Sequence, residues 1–247
     1  MSLLPLITAA AFVAAGTAHA AQTACQAVSG ARTTPLVELY TSEGCDSCPP
    51  ADRWLSSQFP RSGDANRALA LAFHVDYWDR LGWRDPFSSA EWSRRQFFYV
   101  RALNGTSAYT PQAVVNGGRQ FVGSQAESLR AAIEEASHRG STGSVRIEAP
   151  RSGNIVTATI HAGAPQGTEV LVALFQNDVT TRISAGENDG RTTTEDAIVR
   201  RLIRVGSGNV DKTITLNIEP SWRNVGVAAF VQNVDTLAIG NAAVAVP

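Results

Sequence analysis

A Cys-x-x-Cys pair follows an apolar run and directly precedes two prolines, and this arrangement constrains the fold more than any other stretch. The run is residues 35–41 and the pair is Cys45 and Cys48. Proline is tolerated in the first turn of a helix, where N–H groups have no acceptor within the helix, so Pro49 and Pro50 predict a helix opening at the pair. The unpaired N–H groups of such a turn stabilise a thiolate, the form of cysteine that attacks disulfides. The stretch therefore predicts a redox site at a helix start.

The first half of the chain predicts strands alternating with helices. Two Ser-x-x-Glu capping boxes, at Ser88 and Ser124, each predict a helix start, and Asn116 followed by two glycines predicts a hairpin turn. The predicted elements are a strand at 35–41, a helix at 47–58, a strand at 68–75, a helix at 88–102, a hairpin at 113–122 and a helix at 124–138. The first three of these predict a parallel βαβ unit around the cysteine pair.

No helical period returns after residues 139–143. A series of short alternating runs with polar turns between them follows, at 143–149, 154–162, 169–178, 196–205, 211–219, 224–233 and 236–245. Short strands of this kind without helices predict a β-sandwich of about 100 residues, of the immunoglobulin type.

The string Leu-Tyr-Thr-Ser-Glu-Gly-Cys-x-Ser-Cys-Pro-Pro-Ala-Asp at 39–52, with residues 74–79 and 109–112 downstream, resembles the DUF1223 family of secreted bacterial proteins. The strand, loop, Cys-x-x-Cys and helix also resemble the first unit of the thioredoxin superfamily. This resemblance implies an α/β thioredoxin-like domain at 35–140, followed by the all-β sandwich at 143–247. It further implies a cis bond before Pro111 that faces the cysteine pair, with the Thr110 backbone free to bond an extended substrate segment.

Three interpretations of the cysteine pair are open. In the first, Cys45 is the nucleophile of a thiol–disulfide oxidoreductase and Cys48 is the resolving thiol. In the second, the pair is a structural disulfide of a cell-envelope binding or scaffold protein. The third, a zinc half-site, lacks a second pair of ligands in the sequence. Cys25 is left over, and we assign it no role.

Several further residues are candidates for the site. Glu38 lies within a strand that we expect to be buried on both faces, so it is either a proton-transferring acid or a satisfied core carboxylate. The aromatic residues Tyr77, Trp78 and Trp83 either form the floor of a substrate groove beside the cysteines or pack between the two domains.

Two polar groups allow more than one interpretation. Together with the two thiols, His74, Asp76 and Asp79 resemble the ligands of copper-delivery proteins, which makes a copper-handling protein an alternative. We favour hydrogen bonds that hold the aromatic loop and predict no metal site. The segment 186–191 resembles a Gly-Glu-Asn-x-Gly-Arg turn of the family. Its glycines predict a tight loop, and Glu187 and Arg191 are candidates for a domain-bridging ion pair.

Charge and the N-terminal segment limit the classes of partner. The chain has 21 Lys and Arg against 22 Asp and Glu, which gives no electrostatic basis for binding nucleic acid. Residues 1–20 are apolar and end in a small-x-small pattern typical of a signal peptide, although no basic residue follows Met1. We therefore expect a periplasmic or secreted protein without stable membrane insertion after signal removal. The expected partners are protein thiols or disulfides and an unidentified redox partner, with no cofactor.

Overall fold

The computed structural model describes residues 25–60, 63–64 and 68–247, and the predicted signal peptide at 1–20 lies outside this range. The helices are α1 (Pro49–Gln58), α2 (Ala90–Ala102) and α3 (Ala126–Ser137), with a 3-10 helix at Asp76–Leu81. The strands are β1 (Gln26–Val28), β2 (Leu36–Thr41), β3 (Gly63–Asp64), β4 (Ala68–His74), β5 (Gln112–Val115), β6 (Arg119–Val122), β7 (Ser144–Glu148), β8 (Arg151–Ser152), β9 (Ile155–Gly163), β10 (Thr168–Gln176), β11 (Val179–Arg182), β12 (Thr192–Glu195), β13 (Ile198–Ser207), β14 (Val210–Asn217), β15 (Val225–Asn233) and β16 (Ile239–Ala245). No helix in the described ranges is long and apolar enough to cross a membrane.

The central feature is a nine-stranded sheet that runs through both halves of the chain. Its order is β16-β15-β10-β13-β4-β2-β5-β6, with β3 beside β4. Strands β2 and β4 are parallel, as predicted, and β5 and β6 form the predicted hairpin. The two halves meet where β13 pairs with β4 at Ile198 and Ala72. Strands from beyond residue 143 therefore extend the sheet that carries the cysteine site.

The expected fold class, an α/β thioredoxin-like domain followed by an immunoglobulin-like sandwich, is wrong. The chain is predominantly β, and its two halves share one sheet instead of forming two folds in succession. The physical reason lies in strands such as β10 and β15, whose residues are almost all buried. A strand with one solvated face alternates apolar and polar residues, whereas a strand covered on both faces does not.

Both faces of the central sheet are covered, but by different elements. Along β10, Val170, Val172 and Leu174 pack into a core shared with the second sheet, β1-β7-β9-β14 with β8. Leu171, Ala173 and Phe175, which alternate with them along the strand, pack into a second core, on the face covered by α2. A third core covers the first-half strands on the face that carries α1 and α3.

The hairpin of β11 and β12 stands apart from both large sheets. In the described part of the chain these strands pair only with each other, from Val179↔Glu195 to Arg182↔Thr192. Strand β12 packs against α1. The connecting loop, residues 183–191, thereby reaches the start of that helix.

Candidate functional site

The cysteine pair forms a disulfide where the sequence places the helix start. Cys45 and Cys48 are bonded, with Cα atoms 5.4 Å apart. Cys48 is the N-terminal cap of α1 and Pro49 lies in its first turn, so the predicted helix start is confirmed. Both cysteine side chains are 0 % exposed. The disulfide is therefore enclosed by the elements around it.

Thr110 and Trp78 form a hydrogen-bonded chain that ends on the disulfide. The Trp78 Nε1–H donates to Thr110 Oγ1 at 2.8 Å, and the Thr110 hydroxyl donates to Cys45 Sγ at 3.3 Å. An indole nitrogen can only donate, so the hydroxyl must accept from it and keeps its own hydrogen for the sulfur. This arrangement places an O–H donor on Cys45 Sγ, where it would stabilise a thiolate.

The other predicted groove residues have the following geometry and contacts. The Thr110–Pro111 bond is cis, as the resemblance implied. Among the described residues, none bonds to the backbone N–H or C=O of Thr110. Tyr77 is half-buried and packs on the core beneath α2. Trp83 donates from Nε1 to Glu43 Oε2 at 2.8 Å.

The loop at 183–191 supplies contacts that sequence reasoning did not find. Asn188 is 0 % exposed, and its Nδ2 donates to the carbonyl oxygens of Glu43 and Cys45 at 2.8 and 2.9 Å. Glu187 Oε2 accepts from the Asp46 N–H at 3.3 Å. No Glu187–Arg191 ion pair is formed within the described residues, so this candidate pairing is absent there. The predicted tight loop is confirmed by positive φ angles at Gly186 and Gly190.

Glu38 lies on the opposite face of the sheet from α1. Along β2, Leu36 and Tyr40 belong to the core beneath α2, and Glu38 shares their face because side chains alternate along a strand. Its Oε2 accepts from Arg95 Nε at 2.7 Å, and its Oε1 accepts from Arg95 at 2.8 Å and from Tyr99 at 2.5 Å. These contacts favour the interpretation of Glu38 as a satisfied core carboxylate.

A different set of buried acids lies near α1. Asp52 follows Cys48 by one helical turn, and its N–H bonds to the Cys48 carbonyl at 3.2 Å. Burial raises the pKa of Asp52 to about 7. Burial also raises the pKa of Glu43 and of Glu195, which belongs to β12. Helical spacing from Cys48 would have pointed to Asp52, whereas Glu195 has no local signal.

His74 is held in this region by Asp85. Its Nδ1 lies 2.7 Å from Asp85 Oδ2. Burial lowers the pKa of His74, but the charge and hydrogen bond of Asp85 outweigh that effect and raise it to about 10. Burial would raise the pKa of Asp85, but the His74 partner lowers it overall.

The other acids of this segment hold the aromatic loop. Asp76 accepts from Ser93 at 2.5 Å and Asp79 accepts from Ser88 at 2.7 Å. These bonds match the favoured interpretation of the string at 74–79. No group of three or more metal-ligating side chains converges in the described residues.

Comparison with known proteins identifies a family but no reaction. The family described as "Protein of unknown function (DUF1223)" matches residues 36–232. A crystal structure of a protein from Agrobacterium tumefaciens is similar over 87% of this chain and 95% of that chain, with 29% sequence identity and a TM-score of 0.66. A domain of the outer membrane lipoprotein Omp28 from Porphyromonas gingivalis covers 42% of this chain and 87% of its own, at 14% identity and a TM-score of 0.32, which is too low to indicate a shared fold. No curated protein matches the sequence.

Proposed function

The chain belongs to the family described as "Protein of unknown function (DUF1223)". We propose that it is an extracytoplasmic thiol–disulfide oxidoreductase acting on protein thiols. The observation that carries the proposal is the Thr110 hydroxyl on Cys45 Sγ, 3.3 Å away, at a disulfide capping α1. A hydroxyl donor and a helix N-terminus both favour a thiolate over a thiol. A disulfide also persists best in an oxidising compartment, which supports a periplasmic or secreted location.

The proposed reaction consists of two thiol–disulfide exchange steps, in which the two electrons lost by the substrate are gained by the protein. A substrate thiolate attacks Cys45 Sγ, the Cys45–Cys48 bond breaks, and Cys48 leaves as a thiolate that takes up a proton. A second substrate thiolate then attacks the substrate sulfur of the mixed disulfide and releases Cys45. The substrate is oxidised to a disulfide and the protein is reduced to the dithiol. The reverse sequence reduces a substrate disulfide, and the reduction potential decides which direction prevails.

An exchange assay on the mature protein tests this function. We expect the wild-type protein to oxidise or reduce a disulfide-forming peptide catalytically, and the Cys45→Ser variant to lose this activity. Cys25→Ser is the matched control, because Cys25 is a free cysteine outside the disulfide. Equal activity in the wild type and Cys45→Ser would refute the proposal.

One observation favours a second function, that of a scaffold with a structural disulfide. Both cysteines are 0 % exposed, whereas a catalytic disulfide needs a sulfur atom that a substrate thiolate can reach. A redox titration separates the two functions. A potential below about −300 mV, together with thiols that resist alkylation after mild reduction, would favour the scaffold.

A further inference from the structure

The loop at 183–191 lies against the backbone of residues 43–46 beside the disulfide, and side-chain hydrogen bonds join the two segments. Its hairpin, β11 and β12, has no strand partner in the described residues other than itself. An isolated two-stranded hairpin is only marginally stable, so its side-chain contacts must hold it in place. At the disulfide these contacts come from Asn188, on the carbonyls of Glu43 and Cys45, and from Glu187, on the Asp46 N–H.

The side-chain amide of Asn188 uses its nitrogen but not its oxygen in hydrogen bonds. Its amide is fully buried and donates both of its bonds to the backbone beside the disulfide. Its Oδ1 is buried without a hydrogen-bond partner among the described residues. A buried polar atom left unpaired costs free energy, and this cost offsets part of what the two donated bonds contribute. A competing hydrogen-bond donor can therefore displace Asn188 from these two carbonyl oxygens.

The groups exposed by displacement define the competing partner. Movement of Asn188 leaves the carbonyl oxygens of Glu43 and Cys45 without these donors. The backbone of Thr110, whose hydroxyl lies 3.3 Å from Cys45 Sγ, has no bond to a described residue. An extended polypeptide carries alternating N–H and C=O groups that suit both positions. A small thiol such as dithiothreitol carries no amide N–H and must wait for the loop to open unaided.

We infer that the site selects thiols carried on a polypeptide and excludes small-molecule thiols, and that Asn188 sets this selectivity. The inference rests on the proposed function and deepens it. The chemistry is the exchange given above: the polypeptide thiolate attacks Cys45, Cys48 leaves, and a second polypeptide thiolate completes the oxidation. Asn188 acts by positioning the loop at 183–191 and takes no part in the sulfur chemistry.

Reduction rates of the oxidised protein test the inference. The Cys45–Cys48 disulfide is exposed either to dithiothreitol or to reduced, unfolded ribonuclease A, and the reaction is followed by acid quench, alkylation and mass spectrometry. We expect Asn188→Ala to raise the dithiothreitol rate roughly ten- to thirtyfold, the factor that two net hydrogen bonds represent. The polypeptide rate should rise much less, so that the preference for polypeptide falls. Asp189→Ala, at an exposed neighbouring position, should leave both rates unchanged.

A second variant protects the test against misfolding of Asn188→Ala. Gly186 has φ +73°, and an added Cβ would lie 3.1 Å from Trp83 Cβ, so Gly186→Ala should displace the loop by a different route. Faster reduction by dithiothreitol in either folded variant supports the inference. An unchanged dithiothreitol rate in both, with the polypeptide still oxidised, overturns the selectivity and leaves the oxidoreductase standing. Failure of the wild type and both variants to oxidise the polypeptide overturns the proposed function and the substrate assignment together.

Discussion

The Thr110 hydroxyl donates to Cys45 Sγ at 3.3 Å, across 65 residues of sequence. Trp78 fixes the direction of this bond, because its indole N–H occupies the hydroxyl oxygen at 2.8 Å. The Cys45 sulfur therefore receives a hydrogen bond that is oriented in advance of any reaction. Such a bond favours the thiolate that thiol–disulfide exchange requires.

Replacing Thr110 by Val should slow exchange. The variant keeps the shape of the side chain but removes the donor, which is worth about 1 kcal/mol for a net hydrogen bond. We expect a three- to tenfold lower exchange rate at pH 7, and formation of the Cys45 thiolate at a pH about half to one unit higher, measured by ultraviolet absorbance of the reduced protein.

Thr106→Val is the control for this change, because Thr106 is exposed and has no hydrogen bond to the disulfide. Trp78→Phe should reproduce part of the effect, since it frees the Thr110 hydroxyl to rotate. A wild-type rate and an unshifted titration in Thr110→Val would contradict the assigned role.

Replacing Cys48 by Ser should convert Cys45 into a trap. Without a resolving thiol, the mixed disulfide between Cys45 and a substrate cannot be released within the protein. We expect stable cross-linked species in non-reducing electrophoresis of the Cys48→Ser variant, identified by mass spectrometry. Cys45→Ser should give few such species. The opposite pattern, with substrates held on Cys48, would exchange the roles of the two cysteines.

Local sequence signals predicted the elements that carry the disulfide. Two prolines after Cys48 place the start of α1, and Asn116 with its following glycines places the hairpin, because each signal acts on the backbone within a few residues. The burial of β2 was likewise readable from its apolar run. These features lie within short windows, which is the range over which propensity and capping act.

Contacts between distant segments were not predictable in the same way. Asn188 and the Cys45 carbonyl are 143 residues apart, and nothing in residues 186–191 specifies that partner. The alternating pattern predicts second-half strands with one solvated face, whereas β15, Val225–Asn233, is buried along almost its whole length and β13 pairs with β4. An unbroken apolar run of this kind indicates cover on both faces, and that signal argues against a separate sandwich.

The buried acids near α1 should make the fold less stable as the pH rises. The pKa of Asp52 is raised from 3.8 to about 7 by burial, so between these values the folded protein holds a proton that the unfolded chain has lost. The stability that Asp52 contributes is then fully present below about pH 3.8 and is lost as the pH rises from that value through 7. We expect a loss of up to about 1.4 kcal/mol per pH unit and per proton, measured by urea unfolding.

Asp52→Asn should flatten this decline between about pH 5 and pH 7, the part that Asp52 contributes. It should leave the decline above pH 7, because the pKa of His74 is raised from 6.5 to about 10 and its contribution is lost only over that higher range. Residual slope from Glu43 and Glu195 is expected, since burial raises the pKa of both. Asp189→Asn, at an exposed position, is the control. Identical slopes in Asp52→Asn and wild type would refute the assignment.

Replacing Glu38 by Gln should damage stability more than catalysis. The variant leaves the Arg95 guanidinium, whose side chain is only 12% exposed, without its carboxylate partner. Breaking a buried ion pair from one side costs about 3–5 kcal/mol, which corresponds to a melting temperature lower by roughly 10 °C. Exchange by the folded fraction should stay within about twofold of wild type, because Glu38 faces α2 while the disulfide caps α1 on the other side of the sheet.

Glu135→Gln is the matched control for Glu38→Gln. Both side chains of the Glu135–Arg119 pair are half exposed, so this variant should change the melting temperature little. A Glu38→Gln protein with normal stability and strongly reduced exchange would instead identify Glu38 as a proton-transferring acid.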